Sequence, residues 1–220
     1  PAWMAGCGVV VPAAVLEPLQ RAGHSVAIVA EGGSLIGVIG IADPLRSTSR
    51  RAVERLQRLG VEVVMLTGDN AGTAAAIAGA VGVHTFEAEV LPADKAAAIA
   101  RYKRGGRLVG MAGDGINDAP ALAAADVSFA MGAGSDVAMA TADVTLMRND
   151  LGSVADAIDL SRATLAKIRQ NLFFAFVYNV LGLPLAALGL LNPVIAGAAM
   201  AMSSVSVVSN SLLLRRWRAK

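Results

Sequence analysis

Two aspartates and an asparagine stand among glycines in the stretch MAGDGINDAP, directly after the apolar run RLVGMA. The run is typical of a buried parallel strand, and open α/β sheets bind ligands just past the carboxyl ends of such strands. We therefore expect Asp114 and Asp118 at the edge of a site, where Gly113 and Gly115 let the backbone approach a ligand. Two carboxylates so close together repel each other unless a cation lies between them, and their oxygens favour Mg²⁺. An ordinary turn or a helix cap is the alternative for the same residues.

A second strand end of the same kind lies upstream in VEVVMLTGDN. There a β-branched run ends in Thr67, Gly68 and Asp69, and the helix-like stretch AGTAAAIAGAVG follows. A hydroxyl, a flexible glycine and a carboxylate before a helix N-terminus are typical of a phosphate-binding cradle. Two converging strand ends with this chemistry favour a shared site over two unrelated turns.

The elements that must position these residues alternate between helix and strand. Residues 24–30 and 34–42 read as two strands joined by the turn signal EGG. The stretches that follow are predicted as helix 47–59, strand 61–66, helix 71–82, strand 84–90, helix 92–106, strand 107–112, a short helix from 117, strand 126–130, helix 135–142, strand 143–147 and a helix from about 151. This alternation predicts a parallel sheet with helices on both faces.

The composition places part of the chain in lipid. With 55% hydrophobic and 16% charged residues and a mean hydropathy of +0.57, the chain is too apolar for an ordinary soluble domain. Residues 171–191 and 193–214 contain no Asp, Glu, Lys or Arg, and each has about the 20 residues that a spanning helix requires. Because only Asn192 and Pro193 mark the division between them, we expect a tight helical hairpin. The alternative is a buried hairpin of a soluble protein, although soluble helices of this length show a polar face.

Basic residues flank the two apolar segments. They are Lys167, Arg169, Arg215, Arg216, Arg218 and Lys220. By the positive-inside rule both ends of the hairpin face the cytoplasm. The net charge of +2 does not indicate nucleic acid, because the other arginines cluster along one solvated helix face in RSTSRRAVERLQRLG. The single cysteine, Cys7, excludes an internal disulfide, and His24 and His84 are isolated and interpreted as structural.

The motifs MLTGDN, GDGINDAPAL, ADVSFAMG and SDVAMATADVTLMRNDL resemble the phosphorylation domain of P-type ATPases, especially the heavy-metal-transporting subgroup. The likeness spans essentially the whole chain. It implies a haloacid-dehalogenase-like, Rossmann-like α/β domain followed by an all-α transmembrane hairpin. It also implies ATP as substrate, an aspartyl-phosphate intermediate and membrane localisation. The implied divisions are the tail of a nucleotide-binding domain with a hinge at 1–42, the phosphorylation domain at 43–150, a stalk helix at 151–170, two transmembrane helices at 171–214 and a cytoplasmic basic tail at 215–220.

The resemblance also implies roles for particular residues. Thr67, Gly68 and Asp69 hold the phosphate, and Lys95 of LPADK neutralises it. Asp114 and Asp118 hold Mg²⁺, with Asn117 beside them. Asp43 and Pro44 of IADPLR match the hinge next to the nucleotide domain.

One departure from the family pattern is large. The family's nucleophile is the aspartate of a DKTGT motif, which these 220 residues do not contain, and the TGE loop and Cys-Pro-Cys site are missing as well. The chain is therefore expected to be a C-terminal fragment, or a split or truncated gene product, inactive by itself. Its expected partners are the lipid bilayer of the cell's inner or plasma membrane, the missing N-terminal part of the pump and a copper chaperone. Nucleic acid is not expected.

The transported ion is predicted from the polar residues of the two apolar segments, which are costly in lipid. Met200 and Ser204 stand four apart and share a helix face, and a soft thioether suits Cu(I) or Ag(I). The pairs YN and MAMSS resemble the copper-transporting subgroup, which implies Tyr178, Asn179, Met200 and Ser204 as the ion site. Zinc pumps of the family are expected to carry a lysine and an aspartate here, and both are absent. The alternative is that methionine fills gaps and serine helps the helices pack.

Three other functions compete with a copper pump. A soluble phosphatase of the haloacid dehalogenase type shares the sheet and the magnesium site, but it also needs the absent nucleophile and has no lipid-spanning hairpin. A non-catalytic or regulatory membrane module fits the fragment as it stands. A pump of the zinc or cadmium type is the third possibility.

Overall fold

The computed structural model describes residues 2–22, 24–41, 45–114, 116–132, 136–190 and 192–218, without the side chains of residues 2, 25 and 116. It divides into two units, Pro1–Ala155 and Asp156–Lys220. The helices are α1 Ala2–Gly6, α2 Ala13–Arg21, α3 Ser49–Arg58, α4 Ala71–Val81, α5 Pro92–Lys103, α6 Ala119–Ala124, α7 Asp136–Thr141, α8 Gly152–Ala187 and α9 Pro193–Leu212, with 3-10 turns at Ile116–Asp118 and Leu213–Arg216. The strands are β1 Ser25–Glu31, β2 Ser34–Ile41, β3 Val64–Leu66, β4 Thr85–Glu87, β5 Gly110–Gly113, β6 Val127–Ala130 and β7 Val144–Thr145.

Strands β1 and β2 form the predicted antiparallel hairpin. Their register runs from Ser25 opposite Ile41 to Glu31 opposite Ser34. The turn needs glycine because Gly32 and Gly33 have φ angles of 56° and 82°, a left-handed conformation that other residues rarely adopt.

The remaining strands pair in parallel, as the helix and strand alternation predicts. Within the described residues they form two ladders, β3–β4 and β5–β6–β7, rather than one continuous sheet. Strand β6, which has a neighbour on both sides, buries Ser128, Phe129 and Ala130. All three residues of β3 are only half-buried, and β5 is half-buried or exposed. Because β3 pairs only with β4 and β5 only with β6 within the described residues, each of these strands has an edge that could take a further strand.

Capping residues fix where helices of the first unit begin and end. Helix α4 is capped by Asn70, whose Oδ1 accepts a hydrogen bond from the Thr73 amide, and by Gly82 with a φ of 79°.

Two separate hydrophobic clusters lie under the two ladders. One consists of Val53, Ala78, Val81 and Val83, and the other of Leu122, Ala130 and Ala138. Each ladder therefore packs on its own hydrophobic cluster.

The second unit contains the apolar helices. Helices α8 and α9 include windows long and apolar enough to cross a membrane, and none of either window is buried. The predicted two-residue link is too short, since residues 188–192 connect the helices. The first helix ends early because Gly189, with a φ of 70°, closes it in a left-handed turn in which the Leu190 amide donates to the Leu185 carbonyl.

Candidate functional site

The loop after β3 is closed by its own side chains. Thr67 Oγ1 donates a hydrogen bond to Asp69 Oδ2 over 2.9 Å and accepts one from the Asp69 amide over 3.1 Å. Gly68 lies between them, and a Cβ there would meet only the Val90 carbonyl oxygen at 3.7 Å, an ordinary contact. The loop is thus a compact polar turn at the carboxyl end of the strand, where sequence analysis expects it.

The loop after β4 is tied to this turn through its backbone. The Val90 amide donates to the Thr67 carbonyl oxygen at 3.0 Å, and the Glu89 amide donates to the Asp69 carbonyl oxygen at 2.8 Å. Glu89 has a φ of 57°, in the left-handed region that costs a non-glycine residue free energy. These bonds hold the start of α5, the helix that carries Lys95, beside the Thr67 turn.

Lys95 joins α5 to the loop after β5. Its Nζ lies 2.7 Å from Asp118 Oδ1, with 18% of the lysine side chain and 12% of the aspartate side chain exposed. A pair buried to this extent is costly to break, because removing one partner leaves an uncompensated charge away from water. The sequence predicts both residues for the site, and the structure brings them into direct contact.

Gly113, the last residue of β5, makes room for Asp118. A Cβ at this glycine would lie 2.8 Å from the Asp118 Cβ and from its Oδ2. At Gly110, in the same strand, the nearest atom would be Phe129 Cε2 at 3.6 Å. Only the first position therefore excludes a side chain by direct overlap with a predicted site residue.

We expect Gly113→Ala to lower the free energy of unfolding by about 1–3 kcal/mol, since Asp118 must move away from the added methyl group. The matched variant Gly110→Ala should stay within about 1 kcal/mol of the wild type. Denaturant unfolding of the detergent-solubilised chain, followed by circular dichroism, measures both. Equal losses in the two variants would contradict the contact between Gly113 and Asp118.

Two other predicted residues of this region are among those that the structure describes. Asp114 follows β5 and is exposed, and Asn117 is exposed in the 3-10 turn before α6. Gly115, Asp43 and Pro44 lie outside the described residues. The structure thus brings Thr67 into contact with Asp69 and Lys95 into contact with Asp118, and it leaves Asp114 and Asn117 exposed.

The donor set decides whether a metal ion fits. Among the residues that the structure describes, no three His, Cys, Asp or Glu side chains form a group that could hold a metal. Asp114, Asn117 and Asp118 nevertheless offer oxygen donors within five residues of one loop, while Lys95 engages one oxygen of Asp118. Mg²⁺ needs few protein ligands, because it keeps several waters and takes further oxygens from phosphate. The residues fit Mg²⁺ bound together with a phosphoryl group.

Charged groups elsewhere in the first unit support the sheets. The Val109 amide and Lys103 hold the pKa of Asp126 below its usual value, and Ser128 does the same for Asp143 through its hydroxyl and amide. Burial raises the pKa of the Tyr102 phenol, which donates to Glu87. These interactions stabilise the ends of strands and helix α5, and none of them involves a predicted site residue.

In the second unit, α8 and α9 are antiparallel, because a short link joins one pair of their ends and contacts join the other. Half-buried and buried residues lie mainly along one face of each helix, the face that carries the contacts between Lys167, Asn171 and Asn210, and we name this face the seam. On α8 the seam contains Lys167, Asn171, Phe174, Ala175, Tyr178 and Gly182, and on α9 it contains Ala196, Ala199, Ser203, Ser206, Val207 and Asn210. Of the four residues predicted for the transported ion, Tyr178 lies on the seam.

The other three lie beside the seam. Successive helical residues turn by about 100°, so Asn179 is roughly a quarter-turn from Tyr178, and Met200 is the same quarter-turn from Ala199. In two antiparallel right-handed helices these quarter-turns point to the same side. Ser204, one turn beyond Met200, shares that side, and its Oγ donates to the Met200 carbonyl over 3.3 Å. Asn179, Met200 and Ser204 thus line one lateral face of the hairpin, with Met200 70% exposed.

Sequence reasoning missed three parts of this arrangement. It did not find the backbone contacts of Glu89 and Val90, the fit of Gly113 against Asp118, or the seam residue Asn210, which is buried. The glycine directly before the Asp-Gly pair was a usable signal for the second. An asparagine within an apolar helix was a signal for the third, since such a residue is costly in lipid.

A family model for haloacid dehalogenase-like hydrolases matches residues 11–126, and a second model with the same description matches residues 96–158. The chain is 56% identical over 203 residues to the copper-exporting P-type ATPase of Bacillus subtilis strain 168, covering 92% of this chain and 25% of that protein. It is 55% identical over 211 residues to the probable copper-transporting ATPase PacS of Synechococcus elongatus, covering 93% of this chain and 28% of that protein.

A solved structure also resembles the chain. The crystal structure of a zinc-transporting PIB-type ATPase in the E2.Pi state matches with a TM-score of 0.79 and 40% identity over 92% of this chain and 33% of that one. The chain therefore spans about a quarter to a third of the length of the relatives it matches. Because the first family model covers more than half of its residues, the chain belongs to the haloacid dehalogenase-like hydrolases, with homologues among the P-type ATPases.

Proposed function

We propose that the chain supplies the phosphate- and magnesium-binding loops and two membrane helices of an ATP-driven pump for Cu(I) or Ag(I). One observation carries the proposal, namely the chain of contacts that joins three strand-end loops. It runs from the turn at Thr67 and Asp69 through the backbone of residues 89–90 to Lys95 and Asp118. Phosphoryl transfer depends mainly on positioning and on neutralising charge, and this arrangement brings a lysine, a hydroxyl and carboxylates to the carboxyl ends of the strands.

Each residue has a definite role in the proposal. Thr67, Gly68 and Asp69 hold the phosphoryl oxygens, and Lys95 neutralises their charge. Without a phosphoryl group the Lys95 ammonium is held by Asp118, so the lysine stays ordered at the place where it is needed.

Asp114 and Asp118, with Asn117 beside them, would hold Mg²⁺. When bound, the ion supplies further neutralisation of the transferring phosphoryl group.

The phosphorylated aspartate must come from outside these 220 residues, which contain no Asp-Lys-Thr-Gly sequence. Strands β3 and β5 each have a neighbour on only one side within the described part of the chain, and both are incompletely buried. Their carboxyl ends carry the predicted phosphate and magnesium residues. A further parallel strand that ends in an aspartate and lies against one or both edges would deliver the nucleophile to this site.

The membrane role rests on α8 and α9. Both have apolar windows long enough to span a bilayer, with large apolar side chains exposed along them. Basic residues flank the end of the hairpin that is opposite the link, which supports a cytoplasmic position for that end and for the soluble unit. The partners of this role are the bilayer, the rest of the pump and a copper chaperone, and the location is the cell's inner or plasma membrane.

The choice of Cu(I) or Ag(I) rests on the lateral face of the hairpin. It presents a thioether, an amide and a hydroxyl, and residues 171–214 contain no carboxylate, imidazole or ammonium group. Soft monovalent ions favour thioether ligands, whereas Zn²⁺ favours imidazole, thiolate or carboxylate. The curated relatives described above carry copper in their names, while the solved structure is of a zinc transporter. A zinc pump is thus the second candidate, favoured by the structural likeness alone.

The test compares the 220-residue chain with a joined enzyme, in which the chain is completed by the Asp-Lys-Thr-Gly-Thr segment, the TGE loop and the Cys-Pro-Cys site that it lacks. With labelled ATP and Mg²⁺, the chain alone should give no acid-stable, hydroxylamine-sensitive label. The joined enzyme should give that label and hydrolyse ATP faster with Cu(I) or Ag(I). A labelled chain without that segment, or an enzyme that responds to Zn²⁺ and not to Cu(I), would overturn the proposal.

A further inference from the structure

Four polar side chains connect α8 and α9 near the basic end of the hairpin, and we name them the amide cluster. Lys167 Nζ donates to Asn210 Oδ1, Asn210 Nδ2 donates to Asn171 Oδ1, and Asn171 Nδ2 donates to Ser211 Oγ, each over 2.8 Å. Asn210 is the buried residue of α9, with 9% of its surface exposed. Both ends of its amide are therefore engaged by the other helix.

The rest of the seam does little to fix how the helices align along their length. Beyond the amide cluster it consists largely of small residues, among them Ala175 and Gly182 on α8 and Ala196, Ala199 and Ser203 on α9. A slip of one turn replaces each of these small side chains with a similar one, so they do not select one alignment. A buried asparagine acts differently, because a slip would leave its amide without partners in an apolar environment. The amide cluster is therefore the part of the seam that selects one register.

That register sets the depth of the residues proposed for the ion. Tyr178 lies seven residues beyond Asn171, and Ser204 lies seven residues before Ser211. Counted instead from the Lys167–Asn210 contact, Tyr178 is level with Ala199, the residue before Met200. Tyr178 is therefore level with the stretch of α9 from Ala199 to Ser204, roughly 10–17 Å along the helices from the cluster. A slip of one turn would move the two helices by about 5 Å and separate these side chains in depth.

We propose that Lys167, Asn171 and Asn210 are positioning residues that fix the register of α8 against α9 and so hold the four ion-site residues at one level. The register itself stands on the contacts of the hairpin, and its effect on the ion rests on the proposed function. The residues act through the alignment of the helices and do not touch the ion.

The register is tested by disulfide formation in the whole chain in lipid nanodiscs, with Cys7→Ser as background and diamide as oxidant. The pair Ala175→Cys and Ser206→Cys lies at the level that the Asn171–Asn210 contact sets, and the pair Gly182→Cys and Ser203→Cys reports a slip of about one turn. Disulfides form only between Cα atoms within about 7 Å, so the two yields distinguish the registers. With the amide cluster intact the first pair should dominate.

We expect Asn210→Leu to lower the yield ratio of the first pair to the second at least threefold. Ser209→Leu, an equal apolar change at the exposed neighbouring position, should leave the ratio unchanged. Lys167→Met, which removes one bond and keeps the Asn210–Asn171 bond, should give an intermediate ratio, and it serves if Asn210→Leu does not fold. Unchanged ratios in both cluster variants would overturn the proposal.

The link to the ion is tested in an enzyme with Cu(I)-stimulated ATPase activity. Asn210→Leu should raise the half-maximal Cu(I) concentration about tenfold with little change in kcat, whereas Lys167→Arg, which keeps the donor, should behave as the wild type. An unchanged Cu(I) response in Asn210→Leu would overturn the positioning role. A wild-type enzyme without any Cu(I) response would instead refute the proposed function, while the disulfide ratios would still test the register.

Discussion

Asp118→Ala in the complete enzyme is expected to lower the amount of phosphoenzyme formed from ATP at least about 100-fold. The substitution removes a proposed magnesium ligand and leaves the largely buried Lys95 ammonium without its partner 2.7 Å away. Asp114→Ala should cause a comparable loss of phosphoenzyme. Because Asp114 is exposed, it should do so without the loss of stability that accompanies Asp118→Ala.

The matched control is Asp126→Ala. Asp126 also pairs with a lysine, Lys103 at 2.9 Å, but it precedes β6, away from the strand ends that carry the predicted site. It should keep phosphoenzyme within a few-fold of the wild type. The measurement is the acid-stable label from ATP, with thermal unfolding of each variant alongside. Near-normal label in both Asp114→Ala and Asp118→Ala would show that the loop is a turn without a role in phosphoryl transfer.

Met200→Ala is expected to raise the Cu(I) concentration that half-maximally activates the ATPase by about tenfold or more, because it removes the one soft ligand of the lateral face. Met200 is 70% exposed on the hairpin, and Asn179 and Ser204 line the same side. Phosphorylation from inorganic phosphate should persist, since that reaction uses the soluble site.

Met202→Ala provides the matched control for this variant. Met202 is also exposed, at 56%, but it stands two residues further along α9 and so faces away from the Met200 side. It should leave Cu(I) activation unchanged. ATP hydrolysis titrated with Cu(I) and with Zn²⁺ measures both variants. If Met200→Ala and Met202→Ala had the same Cu(I) activation, Met200 would be a packing residue. If Zn²⁺ but not Cu(I) activated the wild type, the zinc candidate would be favoured.

The sequence alone was enough to predict the fold class. Hydrophobic runs of strand length that alternate with helical stretches predicted the parallel pairing, and EGG predicted the hairpin of β1 and β2, because both signals depend on local backbone preference and side-chain period. The two apolar helices followed from composition in the same way. Strand ends were less accurate. The strand predicted at residues 61–66 is only Val64–Leu66 in the structure. A strand extends only as far as it has a partner, and the sequence of one segment does not specify that partner.

The sequence predicted which residue types form the site, but only the tertiary structure decided how they are arranged. Thr67, Asp69, Lys95 and Asp118 could each be named from the chemistry of motifs at strand ends. Their contacts between loops could not, because they join residues 20 to 23 positions apart along the chain and depend on how the ladders and α5 pack. The contacts of the amide cluster were still harder to predict from the sequence. Its bonds span 39 to 43 residues and exist only when two helices meet in one register, a property of the pair that neither helix carries in its own sequence.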